Sequence, residues 1–367
     1  MAIYYLNPRN ENVPFGGVKK IYDHVRTLND AGFSAAVVQA RAKSRPTWFH
    51  SEGVPLVQAP LTVSSADLLV IPECYGEKLR TIAPGVPRIS LNQSPHYTFL
   101  PIRFFAPHPY SVTSDLLGVL AVSDNLTSVL AYAFPQLRVW RFVASVDTEV
   151  FSQRSGGRQR RICYVPGKRH GSITAVFSIL TARGVLRGWE VQALQGLSEA
   201  GIARALSTAA VFLSFPLEWE GFGLPPLEAM ACGAIVVGYT GFGAMEFMSE
   251  QTSVTIPEGD VLRYAQTLEE VLVNWDDQQA RWAAMRANAR SMVEQRYSPA
   301  AERASLIDAY AEILDAASRG SSGARVTRQV SRADTLSERG RLHRAARTAL
   351  RRAKNKASQA LSRRSVN

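Results

Sequence analysis

The chain has 367 residues, 46% of them apolar, which is enough for two compact domains with a sizeable core in each. This composition excludes a disordered chain, a collagen-like chain and a small disulfide-bonded scaffold. The three cysteines are dispersed and lack both Cys-x-x-Cys spacing and a suitably placed histidine, so we expect neither a disulfide framework nor a structural zinc site. Because no apolar run approaches the ~18 residues of a membrane span and the N-terminus lacks a signal-peptide pattern, we expect a cytoplasmic chain, soluble or bound to a membrane surface.

The net charge of +11 is concentrated at the C-terminus. Residues 319–367 contain 14 Lys or Arg residues against Asp334 and Glu338, a local charge of +12, and residues 1–318 are left near −1. The body of the chain therefore gives no electrostatic reason to expect nucleic acid.

In chain order, an apolar strand at 3–6 is followed by the glycine turn Gly16-Gly17 and by a helix whose apolar residues recur from Val18 to Leu28. Further strands are predicted at 35–38, 67–71, 88–91, 119–122 and 139–143, with a helix at 124–132. The pattern then restarts, with strands at 161–165, near 191, and at 210–213, 235–237 and 254–256, and helices at 261–275, 277–297 and 299–317. Apolar strands that alternate with helices predict parallel sheets, and so an α/β fold with two Rossmann-like domains.

Four regions follow from this pattern. We expect an N-terminal Rossmann-like domain over 1–150, a C-terminal Rossmann-like domain over 151–298, a helix over 299–317 that packs on the body, and a basic linker and helical tail over 318–367. The polar, glycine-containing stretch 152–160 suits the connection between the two domains.

The most informative segment is 212–233, which reads FLSFPLEWEGFGLPPLEAMACG. A buried strand ends at Ser214, a glycine loop follows, and the prolines at 225–226 suit the first turn of a helix. Gly221 and Gly223 would let backbone amides approach a ligand at the positive end of that helix. The loop therefore suits phosphate groups or sugar hydroxyls.

Glu220 and Glu228 flank this glycine loop with seven residues between them. By themselves they could be structural, Glu228 complementing the helix dipole and Glu220 lying on the surface. Taken with the loop and the following Ala-Met-Ala-Cys-Gly, however, the segment resembles the E-x7-E signature of retaining glycosyltransferases of the GT-B fold, family 4 (group 1) in particular. The resemblance extends over most of 1–317 and is specific within 211–246.

The resemblance implies transfer of a sugar from a nucleotide-sugar to an acceptor hydroxyl, with retention, in a cleft between the domains. It places the acceptor side in the N-terminal domain, 1–150, and the nucleotide-sugar in the C-terminal domain, 151–298. Glu220 would orient the sugar, while Lys168 and Arg169 would stabilise the departing diphosphate. The donor-binding residues implied are Gly16, Gly17, Gly221, Phe222, Gly223, Leu224 and Glu228.

Two details of the resemblance stay open. Family members separate the two cations of the first C-terminal glycine turn, whereas Lys168 and Arg169 are neighbours here, so which of them reaches the phosphates is undecided. Glu246, in a second glycine loop at 240–246, is either a donor-side acid or a structural helix-capping residue. Lys19 and Lys20 would lie near the Gly16-Gly17 loop.

On the acceptor side, the loop after strand 88–91 contains His96, which is our candidate to position or deprotonate the acceptor hydroxyl, with a structural role as the alternative. His24 and His108 are weaker candidates. No Asp-x-Asp triplet occurs, and Asp147-Thr148-Glu149 belongs to an interdomain motif similar to that of the family, so we expect no metal site. No cofactor is expected either, since the nucleotide-sugar is a substrate.

The tail at 336–362 places leucine and alanine on one face of a basic, weakly amphipathic helix. Through 336–364 it could bind an anionic membrane surface and bring the chain to a lipid-linked or glycan acceptor. A solvated tail is the main alternative, and nucleic acid is the least favoured partner.

The sequence therefore predicts a retaining, metal-independent hexosyl- or deoxyhexosyltransferase of cell-surface glycan or glycolipid assembly, peripheral on the inner face of the membrane. The alternative is a noncatalytic GT-B-like adaptor for membrane or nucleic acid. A nicotinamide oxidoreductase is disfavoured because no G-x-G-x-x-G opens either half.

Overall fold

The computed structural model describes residues 1–8, 12, 15–40, 45–99, 106–153, 157–320 and 325–336. Within these residues the chain forms two parallel β-sheets, each packed against helices. This confirms the predicted α/β class with two parallel-sheet domains.

The N-terminal sheet has seven parallel strands. These are β1 (Ala2–Leu6), β2 (Ser34–Gln39), β3 (Leu56–Gln58), β5 (Leu68–Pro72), β6 (Arg88–Asn92), β7 (Leu116–Ala121) and β8 (Val139–Arg141), in the order β3-β2-β1-β5-β6-β7-β8. Every residue of β5 is buried, which explains its continuous apolar sequence. The strand order reverses between β1 and β5, and parallel α/β sheets bind ligands at the carboxyl ends of the strands at such a point.

Helices connect these strands and place short loops at the carboxyl end of the sheet. They are α1 (Gly16–Asp30), α2 (Pro95–Phe99), α3 (Pro109–Val112) and α4 (Asp124–Ala133), together with a 3₁₀ segment at Glu73–Arg80. The α4 helix begins where Ser123 accepts a hydrogen bond from the backbone N–H of Leu126, a side-chain cap that fits the strand-to-helix junction predicted there.

The C-terminal sheet has five parallel strands, β9 (Gln159–Tyr164), β10 (Glu190–Ala193), β11 (Ala209–Ser214), β12 (Ile235–Gly238) and β13 (Val254–Thr255), in the order β10-β9-β11-β12-β13. Its helices are α5 (His170–Ala182), α6 (Glu199–Thr208), α7 (Leu224–Ala231), α8 (Gly241–Ala244), α9 (Val261–Val273) and α10 (Gln279–Arg296). The central strand β11 is buried throughout, and it ends at Ser214, directly before the glycine loop.

The helix α11 (Pro299–Gly320) returns from the C-terminal half to pack on α1, β7 and β8 of the N-terminal half. A buried ion pair anchors it, with Lys20 Nζ 2.7 Å from Glu302 Oε2. Lys20 also donates to the carbonyl oxygen of Ser145 in the segment between the sheets, at 3.0 Å. The two halves of the chain are therefore joined by a shared helix as well as by the connecting segment.

The expectation of a linker from residue 318 onwards is wrong at 327–330, which form a paired β-strand. The strand β14 (Thr327–Val330) pairs antiparallel with β4 (Leu61–Ser64) and forms a separate two-stranded sheet on the N-terminal half. Lys78 Nζ holds the chain that follows, donating to the carbonyl oxygens of Ala333 at 2.6 Å and Leu336 at 2.7 Å. The polar composition of this segment suggested a linker. Strand pairing, however, satisfies the hydrogen bonds of its backbone and does not require apolar side chains. The predicted tail helix at 336–362 lies, after Leu336, outside the described residues.

Candidate functional site

A cleft of about 390 Å³ lies between the two sheets and is lined by residues from both halves of the chain. It receives the loops that follow β1, β5 and β6 on one side and those that follow β9, β10 and β11 on the other. Nine of the eleven site residues predicted from the sequence line it, namely Gly16, Gly17, His96, Lys168, Glu220, Phe222, Gly223, Leu224 and Glu228. Arg169 and Gly221 are not among its lining residues.

The Gly16-Gly17 turn begins α1 at the cleft, so the positive end of this helix dipole faces the ligand space. Side chains at these positions would crowd the site, because a Cβ on Gly16 would lie 3.3 Å from Leu224 of the other half. Gln93 Nε2 donates to the carbonyl oxygen of Gly17 at 3.2 Å and fixes the turn. The two glycine loops therefore meet across the cleft.

The lysines beside this turn are already paired. Lys19 contacts Asp23 at 3.1 Å and, across the cleft, Glu199 at 3.3 Å. Lys20 is buried against Glu302. Both lysines line the cleft near the Gly16-Gly17 turn, as expected, and Lys20 also holds α11 through its ion pair.

Lys168 and Glu220 form an ion pair on the C-terminal wall of the cleft. Lys168 Nζ lies 2.7 Å from Glu220 Oε1 and 2.6 Å from Oε2, and it keeps 44% of its side chain exposed. Glu220 also accepts a hydrogen bond from the backbone N–H of Leu217, which holds its carboxylate within its own loop. The cation is thus presented to the cleft by a carboxylate from the E-x7-E segment.

Arg169 turns away from the cleft. Its Nε donates to the carbonyl oxygen of Pro216 at 2.6 Å, and its guanidinium pairs with Glu258 and lies 5.0 Å from the ring of Tyr239. The left-handed backbone of Arg169, with φ of 46°, directs the two neighbouring side chains to different places. Of the two neighbouring cations Lys168 lines the cleft and Arg169 does not, so the geometry favours Lys168 for the question that the sequence left open.

Glu228 lies one turn into α7 on the floor of the cleft. The surrounding protein desolvates its carboxyl group and raises its pKa to about 7, with Lys19 lowering and Glu199 raising that pKa as smaller contributions. A carboxyl group poised near neutrality exchanges hydrogen bonds readily with hydroxyls in either protonation state.

The loop between the two glutamates shapes the cleft through its backbone. Gly223 has φ of +106°, a left-handed conformation that favours glycine, and it is the N-cap of α7. Phe222 packs on Phe247 and Tyr297, with ring centroids 5.3 and 5.6 Å away. Gly221 lies close against the N-terminal half, since a Cβ there would lie 1.7 Å from the carbonyl oxygen of Gln93.

Among the histidines, His96 lines the cleft and its ring meets that of Tyr97 at a centroid distance of 5.3 Å. His108 caps α3 through Nδ1, and its Nε2 lies 3.0 Å from the carbonyl oxygen of Thr98. His24 is buried 3.6 Å from Glu302. The geometry therefore keeps His96 as the acceptor-side candidate and gives the other two structural positions.

Glu246 joins the two halves outside the cleft. Its carboxylate accepts from the backbone N–H of Asp124 at 2.9 Å and from Tyr297 Oη at 3.1 Å, and it pairs with Arg141 at 2.9 Å. Asp124 begins α4, so the carboxylate also complements the dipole of that helix. Of the two readings of Glu246 left open by the sequence, this geometry favours the structural one.

Sequence analysis missed Glu73, which lines the cleft from the N-terminal side. Its signal was present: a carboxylic acid placed directly after the continuously apolar strand β5, at the edge where parallel sheets bind ligands. Among the described residues no group of three His, Cys, Asp or Glu side chains is arranged to hold a metal ion. Nor does that part of the chain contain a helix long and apolar enough to cross a bilayer.

Comparison with known proteins gives this geometry its context. Residues 187–292 match the family described as glycosyl transferases group 1. An alpha-1,6-glucosyltransferase of Actinobacillus pleuropneumoniae serotype 7 is 27% identical over 263 residues, which cover 66% of this chain and 76% of that protein. A GDP-mannose-dependent monoacylated alpha-(1-6)-phosphatidylinositol monomannoside mannosyltransferase of Corynebacterium glutamicum is 38% identical over 82 residues, 22% of this chain and 20% of that protein.

Solved structures share the fold at low sequence identity. The sucrose-phosphate synthase of Thermosynechococcus elongatus superposes with a TM-score of 0.63 at 13% identity, over 86% of this chain and 100% of that chain. Anabaena Alr3699/HepE, solved in complex with UDP, has a TM-score of 0.62 at 14% identity, again over 86% and 100%. The fold is therefore GT-B.

Proposed function

We propose that this chain is a glycosyltransferase of the group 1 type, which transfers a sugar from a nucleotide-sugar to an acceptor hydroxyl with retention at the anomeric carbon and without a metal ion. The observation that carries this proposal is the clustering, in one interdomain cleft, of Lys168, Glu220 and Glu228 with the N-terminal ends of α1 and α7. A cation and two positive helix ends suit a diphosphate, and two carboxyl groups suit ribose and sugar hydroxyls.

The demanding step is loss of the nucleoside diphosphate. As the bond from the anomeric carbon to the diphosphate oxygen breaks, negative charge collects on the terminal phosphate, and Lys168 and the two helix ends stabilise it. The acceptor oxygen bonds to the anomeric carbon from the same face, and its proton passes to the departing phosphate. Glu220 and Glu228 orient the donor without attacking it.

The ion pair between Lys168 and Glu220 links binding of the diphosphate to binding of the sugar. Glu220 Oε2 lies 2.6 Å from Lys168 Nζ and neutralises its charge. An arriving diphosphate competes for the lysine and frees the carboxylate for the hydroxyls of the sugar. Donor binding thus exchanges an ion pair within the protein for two contacts with the donor.

The relatives guide the choice of sugar and acceptor. We propose a hexosyl donor carried on UDP, supported by the relative named as a glucosyltransferase and by the neighbour solved with UDP. A glycan or lipid-linked acceptor in cell-surface polysaccharide or glycolipid assembly completes the proposal. A cytoplasmic location, peripheral on the inner face of the membrane through 336–364, rests on the basic composition of that segment.

Thermal unfolding in EDTA with UDP, GDP, ADP and their common sugar derivatives tests the donor site. A ligand at 100 times its Kd adds about 2.7 kcal/mol to the free energy of unfolding, so one base should raise the midpoint clearly. The rise should disappear in Glu228→Gln and persist in Glu250→Gln, which alters an exposed glutamate away from the cleft. If no nucleotide stabilised the wild type while anionic vesicles bound it, the adaptor alternative would replace the transferase.

Proton NMR of the product tests the stereochemistry. The coupling of the anomeric proton should match that of the α-linked donor sugar. An inverted product would overturn the retaining mechanism and leave the transferase intact.

A further inference from the structure

Glu73 is a buried carboxylic acid in the wall of the cleft. It follows Pro72, the last residue of β5, next to the reversal of strand order in the N-terminal sheet. Its exposed fraction is 7%, and it lines the cleft together with Gln93, Ser94 and His96.

One oxygen of the Glu73 carboxyl group is left without a partner by the fold. In the described part of the chain no hydrogen-bond donor reaches Glu73 Oε2. Burial raises the pKa of Glu73 to about 8, although hydrogen bonds from the backbone N–H groups of Glu73, Gln93 and Ser94 partly oppose this rise. A buried carboxyl oxygen without a hydrogen-bond partner costs stability, so the backbone contacts alone do not satisfy this residue.

A second, water-sized cavity lies behind Glu73, between it and Tyr110. The polar groups on that side are satisfied by one another: Ser90 Oγ meets Tyr110 Oη at 2.7 Å, and His108 bonds to the backbone of Thr98. At about 10 Å³ this space has room for one water and not for a substrate group. The cleft is thus the side from which a ligand reaches Glu73.

We propose that Glu73 binds a hydroxyl group of the acceptor, and that the acceptor presents a sugar or polyol unit to this wall. The inference rests on the proposed function. A hydroxyl both donates and accepts, so it suits a carboxyl group in either protonation state, whereas a phosphate or carboxylate on the acceptor would be repelled by the ionised form. Gln93, His96 and Tyr97 line the same cleft as Glu73, and this mixture of polar groups and flat rings suits a sugar face and its hydroxyls.

The test separates donor from acceptor. Wild type, Glu73→Gln and Glu77→Gln are compared with the nucleotide-sugar chosen by the thermal panel, UDP-glucose first. Release of nucleoside diphosphate is measured in water alone and with methyl α-D-glucopyranoside, methyl α-D-mannopyranoside or glycerol as acceptor. Glu77 belongs to the same 3₁₀ segment but does not line the cleft, so it is the matched control.

Glu73→Gln should lower kcat/KM for the acceptor by about 10- to 100-fold, mainly through KM, because one hydrogen bond to a buried group is lost. The KM for the donor and its hydrolysis by water should stay within about twofold of wild type, and Glu77→Gln should change neither. An unchanged acceptor KM would reduce Glu73 to a binder of structural water, and an equal rise in donor KM would assign it to the donor; both results overturn the proposal. If donor binds but no sugar or polyol accelerates its turnover, the acceptor class is wrong, and if wild type neither binds nor hydrolyses any nucleotide-sugar, the proposed function itself fails.

Discussion

At the scale of single residues, Lys168 and Arg169 show how far two neighbours can differ. Lys168 faces the cleft and meets Glu220, whereas Arg169 is tied to Pro216 and Glu258 at the end of the C-terminal sheet. The sequence could identify the basic pair but not divide its roles. Helical or strand periodicity assigns a face to each side chain, and a left-handed turn has no such periodicity.

Replacing Lys168 should therefore affect the transfer rate, whereas replacing Arg169 should affect the stability of the fold. Lys168→Met should lower the transfer rate by about 100- to 1,000-fold, since it removes the charge that stabilises the departing diphosphate. Its free energy of unfolding should change by less than about 1 kcal/mol, because the pair is exposed. Arg169→Met should instead destabilise the fold by roughly 1–3 kcal/mol and leave most of the activity. Kinetics and urea unfolding of both variants check this, and an inactive but fully stable Arg169→Met would return that residue to the catalytic site.

Glu73 should also make the free energy of unfolding depend on pH, and this effect can be measured without any ligand. Its folded pKa of about 8 lies above the ordinary value of 4.5, so it stays protonated in the folded chain at a pH where the unfolded chain releases the proton. The free energy of unfolding is then lowered progressively as pH rises from about 4.5 to 8. Glu73→Gln removes this loss and should be more stable than wild type by roughly 1–4 kcal/mol at pH 8, with little difference at pH 5.

Urea unfolding at the two pH values measures the effect of Glu73→Gln. Glu52→Gln, which alters an exposed glutamate in the same half of the chain, should show no pH-dependent gain. An equal gain at pH 5 and pH 8 would mean that packing, and not ionisation, distinguishes the variant.

At the scale of elements, the docking of α11 depends on charge buried between it and α1. Burial alone would raise the pKa of Glu302, but Lys20 and His24 outweigh it and hold that pKa well below its usual range. A lowered carboxyl pKa stabilises the folded chain above about 4.5, and this contribution is lost as pH falls further. The pair between Lys20 and Glu302 therefore stabilises the packing of α11 at neutral pH, and this stabilisation is lost in acid.

Lys20→Met should lower the free energy of unfolding by about 3–5 kcal/mol at pH 7, because Glu302 is left buried without a compensating charge. The double variant Lys20→Met/Glu302→Met should recover most of that loss, since two apolar side chains can replace a buried pair. Lys19→Met, which disrupts a more exposed pair, is the matched control. Denaturation in urea measures all three, and a double variant as unstable as the single one would show that the pair is not the origin of the effect.

The elements that sequence could predict are those whose neighbours bury them on both faces. β5 and β11 are buried throughout, and their continuous apolar runs were sufficient to place them. β14 was missed because its register is set by β4, some 260 residues earlier, and not by its own polar side chains. Glu73 directly follows the predicted strand β5, so its place at the edge of the sheet was visible in the sequence, but a single acidic residue forms no motif, and the cleft between the two halves is what shows that it faces the ligand space.

At the scale of the whole molecule, the two halves meet closely at Gly221. A Cβ there would overlap the carbonyl oxygen of Gln93 at 1.7 Å, so the loop before α7 approaches the N-terminal sheet with no room for a side chain. Gly221 was singled out in the sequence for the approach of a ligand, and the structure adds close contact between the two halves as a second reason for glycine at this position.

Gly221→Ala should therefore prevent full closure of the cleft. We expect UDP affinity within a few fold of wild type, transfer lowered by about 100-fold, and a loss of stability of about 1–3 kcal/mol from overpacking. Small-angle scattering should show a larger radius of gyration. Gly171→Ala, at a helical glycine with open space around it, is the control, and a closed, active Gly221→Ala would show that this contact does not govern closure.

The C-terminal segment separates into an anchored part and a basic part, and the boundary near Leu336 makes them separable by truncation. A chain ending at residue 336 keeps β14 and both hydrogen bonds of Lys78, so its unfolding midpoint should stay close to that of the full chain. It lacks the basic residues of 337–367, and with them the attraction to anionic lipid, worth up to about 1 kcal/mol per basic residue near the surface. A chain ending at residue 324 also loses β14 and the buried Val330, and should be less stable by roughly 1–3 kcal/mol.

Binding to vesicles of phosphatidylcholine, with and without phosphatidylglycerol, tests the basic part at low and high salt. Only the full chain should bind, it should bind only the vesicles that contain anionic phosphatidylglycerol, and high salt should weaken this binding. Binding by the chain ending at 336, or binding that ignores salt, would move the membrane contact from the tail to the body of the enzyme.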